Sequence, residues 1–172
     1  PRFHLNPQQI FQPSTTVEPV IPPVAEAVLE REIAALPPAQ LLAEAGSTQA
    51  WIASAEQIPS VLREIGRLRE VTFREAGEGT GKPVDLDEFD VHYQHLFLWE
   101  ARTRRIVGAY RLGITGEIVA RRGLKGLYTS TLFHYGSGFL DKLGPCLEMG
   151  RSFVRSEEQR GFAPLLLLWK GI

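Results

Sequence analysis

Three carboxylates, Asp85, Asp87 and Asp90, stand immediately ahead of an apolar run from His95 to Trp99, and a short charged turn joins that run to a second, Ile106 to Leu112. Two β-like runs joined in this way predict a hairpin with an acidic mouth. Period-two alternation puts Val107, Ala109 and Arg111 on one face of the second strand and Gly108, Tyr110 and Leu112 on the other. Arg111 then shares a face with apolar residues, and a buried guanidinium is costly unless a carboxylate meets it. Acids and arginine therefore constrain each other, and the remaining elements have to fold around them.

Upstream, Ala55 to Ala76 predicts the strongest helix, with Ile58, Val61, Leu62, Ile65, Thr72 and Phe73 on one stripe at 100° per residue. Arg69 falls in the middle of that stripe. Either its stem is buried while its head reaches water, or it points into a polar pocket bounded by the acidic segment. Gly77 to Val84, with three glycines and a proline, predicts a flexible loop delivering the chain to Asp85. Before this helix, Gln49 to Ser54 is a short β-like run. Val24 to Leu36 predicts a short helix ended by Pro37-Pro38, and Ala39 to Ala45 a further helical turn or two before Gly46. Residues 24–47 thus read as a helical N-terminal extension. Residues 1–23, with Pro1, Pro7, Pro13, Pro19, Pro22 and Pro23, read as an extended arm or linker.

Downstream, Thr115 to Gly138 mixes short helical and extended pieces, Pro145 to Val154 predicts a strand, and Ser156 to Ile172 a loop and the opening of a helix. The apolar finish Leu-Leu-Leu-Leu-Trp-Lys-Gly-Ile suggests a fragment of a longer protein. Glu148 and Arg151 interrupt the strand, and residues three apart in a regular strand face opposite ways. A bulge, least costly at Gly150, would turn both to one side. Without it they are two solvated charges on an edge strand.

With 172 residues the chain suffices for one domain and a sizeable core, and a net charge of −1 gives no global pull toward nucleic acid. The single cysteine, Cys146, excludes an internal disulfide and a cysteine-rich zinc site. The longest apolar run, Ala163 to Trp169, is too short to span a bilayer, and no signal peptide is visible. A cytoplasmic protein is expected, membrane-peripheral at most. Asp85, Asp87, Asp90, His92 and His95 invite a metal, but the sixth position of a calcium loop requires Gly where Asp90 stands, and His92 and His95 alternate across a strand. No metal is therefore expected.

The ordered set Arg69-x-x-x-Phe73, Asp87-x-x-Asp90, Val107-Gly-x-x-Arg111-Leu112 and Glu148-x-x-Arg151-Ser-Phe resembles the acyl-homoserine-lactone synthases. In His95-Leu96, Gly108-x-Tyr110-Arg111-Leu112 and Leu147-Glu-x-Gly-Arg-Ser the chain is still more similar to the ornithine-acyl-carrier-protein N-acyltransferases, often labelled hemolysins. The resemblance covers about residues 49–172. It implies a GNAT-like α/β fold over residues 48–172, continuing beyond them, with a central mixed, mostly antiparallel sheet flanked by helices. It also implies transfer of a fatty acyl group from acyl carrier protein to an amine, with ornithine the leading acceptor.

An amine attacks a thioester only when deprotonated, and Glu148 is the candidate general base, with Arg151 beside it. Asp87 and Asp90 either bind the cationic acceptor or hold Arg69 and Arg111 in place. A coenzyme A-dependent relative would carry Gln or Arg where Glu158 begins Glu158-Gln-Arg-Gly-Phe-Ala163, and an acid there repels phosphate. The donor expected is therefore the phosphopantetheine thioester of acyl carrier protein, with no cofactor bound. Arg102, Arg104, Arg105, Arg121, Arg122 and Lys125 form either a docking patch for that acidic carrier or scattered solvated charges. The rival reading is a non-catalytic acyltransferase-like module that recruits carrier protein or another partner, or the N-terminal part of a larger lipid-synthesis enzyme.

Overall fold

The computed structural model describes residues 17–136, 138–159 and 163–172. The first part of the proline-rich arm and residues 160–162 of the Glu158 to Ala163 stretch lie outside the described residues. Five strands form one antiparallel meander: β1 (Leu41–Ala45), β2 (Thr48–Ser54), β3 (Gln94–Glu100), β4 (Arg105–Ile114) and β5 (Leu147–Val154). Helices α1 (Glu26–Ala34) and α2 (Pro59–Glu75) cover one face, where Leu29, Ile33, Ile58, Val61, Ile65 and Leu68 pack on Trp51, Phe97, Trp99, Ile106, Ala109 and Phe153. After the short helices α3 (Thr115–Arg122) and α4 (Phe139–Leu143), α5 (Ala163–Lys170) covers the other face, with Leu167 and Leu168 against Ala50, Leu96, Leu98, Val107 and Leu112.

Three local expectations are corrected. Leu41–Ala45 is a strand rather than a helical turn, pairing Leu41 with Trp51 and Ala45 with Thr48, so this part of the N-terminal extension belongs to the sheet. The Gly46-Ser47 turn, with Gly46 at φ +63°, closes that hairpin. Val107 does not share a face with Ala109. The β3–β4 register slips so that Leu98 faces Gly108 but Trp99 faces Ile106. That bulge turns Val107 to the α5 face and Ile106 to the α2 face.

The glycine-rich stretch after α2 is tied down rather than loose. Glu70, fully buried, accepts hydrogen bonds from Thr80 N–H (3.0 Å), the Thr80 hydroxyl (2.6 Å), Gly81 N–H (2.9 Å) and Arg74 Nε (2.7 Å). The described part of the arm runs along the same stretch, where Glu18 N–H donates to the Gly81 carbonyl and Ile21 N–H to that of Pro83. Val24 N–H then reaches Glu64 Oε2 on α2 at 3.0 Å.

Within α2, Gly66 is the point of closest approach to the segment that leads to the acids. Its carbonyl accepts the Asp85 N–H at 3.0 Å, and a Cβ there would lie 2.6 Å from Leu86 Cγ and 2.8 Å from Val84 Cγ2. Gly66→Val should therefore lower stability by about 2 kcal/mol through overpacking, despite removing a helix-interior glycine. Urea unfolding measures this, and an unchanged midpoint would show that the 84–86 segment does not press on the helix.

Candidate active site

Asp87 ends an extended segment and caps the 3-10 turn Glu88–Val91. Its carboxylate accepts the Phe89 N–H at 2.9 Å, while Asp90 Oδ2 reaches back to the Asp87 N–H at 2.8 Å. This reciprocal capping fixes both acids. Asp90, 2% exposed, directs Oδ1 to Arg69 Nη1 at 2.7 Å and Oδ2 to Arg111 Nη1 at 3.3 Å. Arg111 Nη1 also meets Asp87 Oδ1 at 2.5 Å, and its guanidinium lies over the rings of Phe89, Tyr93 and Tyr128 at 5.8, 5.2 and 5.1 Å. Arg69, fully buried, thus points into the acidic segment and does not snorkel.

Burial alone would push Asp90 up, but Arg69 and Arg111 outweigh it and hold the carboxyl below its ordinary value. Burial pulls Arg69 down despite Asp90. An arginine starts so far above neutrality that the pair stays ionised. Asp85 goes the other way, raised because burial outweighs Arg151 and Arg69.

The bulge expected at Gly150 occurs one residue later. Ala109 pairs with Phe153 and Arg111 with Gly150, so Arg151 and Ser152 together oppose Tyr110, and Arg151 takes a left-handed φ of +51°. That turns Glu148 and Arg151 to the same side. Glu148 accepts the Thr129 N–H at 2.5 Å and a short bond from the Tyr93 hydroxyl, which itself accepts the Tyr128 N–H at 2.9 Å. Arg151 lies over the Tyr128 ring at 5.5 Å and faces Asp85 and Asp87, each at 3.5 Å. Asp87 thereby bridges Arg111 and Arg151.

The sequence reading missed Tyr93, Tyr128 and Thr129. A usable signal for Tyr93 was Gly113, a glycine inside a strand, directly opposite Glu148. A Cβ at Gly113 would sit 2.5 Å from Tyr93 Cε1, so the glycine makes room for that ring. A cleft of about 460 Å³ opens beside Tyr93, between Gln94, Leu112 and α3.

The six basic residues, for which the sequence leaves open one docking patch or scattered charges, lie in two separate groups. Arg102, Arg104 and Arg105 lie at the β3–β4 turn, Arg121 and Arg122 at the end of α3, and Lys125 just beyond. The ten residues of β4 separate the two groups, about 30 Å at ~3.4 Å per residue. Arg104 faces Glu26 and Glu30, both at 3.5 Å, and Arg105 meets Glu158 at 3.0 Å. The acid at position 158 is therefore bound to an arginine of the hairpin turn. No helix among the described residues is long and apolar enough to cross a membrane.

A family model described as an acetyltransferase (GNAT) domain matches residues 68–170. A glycine N(alpha)-acyltransferase of Bacteroides thetaiotaomicron is 34% identical over 167 residues, covering 91% of this chain and 49% of the relative. The glycine N(alpha)-acyltransferase of Phocaeicola vulgatus is 33% identical over 167 residues, covering 91% of this chain and 51% of the relative. The chain thus spans about half the length of the curated relatives it matches. No solved structure matches it.

His95, fully buried on β3 opposite Arg111, gives the cluster a pH signature. Its Nε2 meets the Asp90 carbonyl at 2.9 Å, and burial, only partly offset by that bond, lowers its pKa from 6.5 to about 4. Between those values the unfolded chain binds a proton that the folded chain refuses. The stabilisation is therefore complete above the unfolded value and drains away as pH falls toward the folded one, a loss of about 3 kcal/mol. Denaturant unfolding at pH 7 and at pH 4.5 should show most of this drop in the wild type and a flatter profile in His95→Gln, whose amide keeps a donor for the Asp90 carbonyl.

Proposed function

The chain belongs to the GNAT acetyltransferase family, and from that premise we propose that it supplies the acceptor-side catalytic centre of an amide-forming N-acyltransferase. In this reaction the lone pair of an amino-acid amine attacks the carbonyl carbon of a fatty acyl thioester. The N–C bond forms, the C–S bond breaks, the surplus amine proton passes to Glu148, and sulfur leaves as a thiolate that takes up this proton to become the free thiol, returning Glu148 to its ionised form. The reading rests most on the placement of Glu148, half-buried in the strand beside the bulge. One oxygen meets the Tyr93 hydroxyl and the other the Thr129 N–H. A carboxylate oriented in this way is suited to general-base work, which is worth about 10²- to 10⁴-fold.

Glycine is the acceptor favoured here over ornithine. The two relatives are named for glycine. In addition Asp87 and Asp90 already hold close ion pairs with Arg111 and Arg69, so a side-chain ammonium would have to compete for them. Asp87 and Asp90 then act by holding Arg69 and Arg111, one of the two roles open from sequence. The donor proposed is the thioester of acyl carrier protein, acidic enough to be attracted by Arg121, Arg122 and Lys125, the half of the basic set on α3 and just after it. The protein would work in the cytoplasm, releasing an acylated amino acid that partitions into membranes.

The test is acyl transfer by the protein at its natural full length, with fatty acyl groups on acyl carrier protein or on coenzyme A and with glycine, ornithine or lysophospholipid as acceptor. Glycine with the carrier-protein donor should be the most active combination. Glu148→Gln should lower kcat by about 10²-fold or more. A Glu148→Gln enzyme at full rate would remove the base assignment, and equal use of coenzyme A thioesters would overturn the choice of donor.

A further inference from the structure

We infer that Arg151 binds the carboxylate of the acceptor, so that the site selects amino acids carrying a free carboxylate beside the amine over simple amines; this rests on the acyl-transfer reading above. The three arginines of the cluster are not equivalent. Arg69 and Arg111 have side chains 0% and 2% exposed and are held by carboxylate contacts of 2.7 and 2.5 Å. Arg151 is 24% exposed and stands 3.5 Å from both Asp85 and Asp87, longer than the ~2.7–2.9 Å of a good charge-assisted hydrogen bond. Its buried Nε has no hydrogen-bond partner among the described residues, as is also true of Nε and Nη2 of Arg69, but only Arg151 of the three is open to solvent. Charge holds this guanidinium in place while its donors are left poorly used.

The backbone points the same way. A left-handed non-glycine residue costs about 1 kcal/mol or more and persists where surrounding structure enforces it. Gly150 would adopt that conformation freely, and a Cβ there would meet nothing within 4 Å, yet Arg151 is the residue at positive φ. The consequence is direction. Arg151 is laid over the ring of Tyr128 while Glu148 takes the N–H of the next residue, Thr129. Cation and proposed base therefore converge on adjacent residues of one loop. An α-amino acid carries its amine and carboxylate on a single carbon, so a guanidinium on one side and a base on the other recognise both ends and aim the nitrogen. A planar guanidinium suits the carboxylate better than an ammonium would.

Glycine and glycinamide, which differ only in the carboxylate, supply the test, with the full-length protein and acyl carrier protein thioester. The wild type should prefer glycine in kcat/KM by about tenfold or more. Arg151→Gln should raise the glycine KM by roughly 10- to 100-fold with a smaller change in kcat, and bring the two acceptors close to parity. Arg151→Lys should restore part of the preference. The wild-type comparison needs no variant and so stands even if the substituted bulge misfolds. A wild type that uses both acceptors equally, or an Arg151→Gln enzyme that keeps its preference for glycine, overturns the assignment to Arg151 while leaving acyl transfer intact. A wild type that acylates no amine overturns the acyl-transfer reading, and this one with it.

Discussion

The Asp90 carboxylate, buried between the guanidinium groups of Arg69 and Arg111, is the contact on which the arrangement depends. Each guanidinium is nearly inaccessible to water, and a buried cation without a counter-charge is far costlier than the conformational freedom lost in pairing it. Asp90 answers both and also accepts the N–H of Asp87, while its own carbonyl meets His95. One residue therefore joins α2, the turn before β3, β3 and β4. Helix and hairpin have no freedom to slide past each other without stranding a charge.

From that hub the order spreads toward β5. Asp87 is shared between Arg111, on the buried side, and Arg151, on the more open side. The rings of Phe89, Tyr93 and Tyr128 fill the space around Arg111, and the Tyr93 hydroxyl carries the same network to Glu148. Behind the acids, the loop that delivers Asp85 is anchored by Glu70 and by the backbone of residues 18–21. A succession of hydrogen bonds, ion pairs and cation–ring contacts thus runs from the N-terminal segment to the carboxylate proposed as base. Rigidity of this kind is what a site needs when an amine must be held against a thioester within a few tenths of an ångström.

Much of this was legible in the residues. The Arg69 and Arg111 positions stood out because a buried cation on an apolar stripe or strand face is costly without an acid, and three aspartates, Asp85, Asp87 and Asp90, stand in one short stretch, although for Arg69 the sequence also allows a snorkelling stem. Glu148 and Arg151 could share a side only through a bulge, since strand geometry forbids it otherwise, and the sequence also allows two solvated charges on an edge strand. The misses have physical reasons too. Leu41–Ala45 has an alanine- and leucine-rich composition suited to helix, and pairing with β2 overrode that preference. Val107 was misplaced because a single slip in the β3–β4 ladder reverses the alternation beyond it. The basic set divided because closeness in charge pattern along a chain says nothing about a ten-residue strand standing between its halves.

The sequence by itself determined that Arg69 and Arg111 stand on apolar faces, where a buried cation is costly without an acid, because the energy of a buried ion is set by chemistry that every fold must satisfy. It determined the helix stripe and the acidic mouth for the same reason, as local periodicity and capping are properties of neighbouring residues. Only the tertiary structure decided the hand-off between partners: that Asp90 takes two arginines, that Arg151 rather than Gly150 carries the bulge, and that Tyr93, Tyr128 and Thr129 close around Glu148. Those choices depend on distances between elements far apart in the chain, and such distances are fixed by packing and register rather than by any residue's own preference.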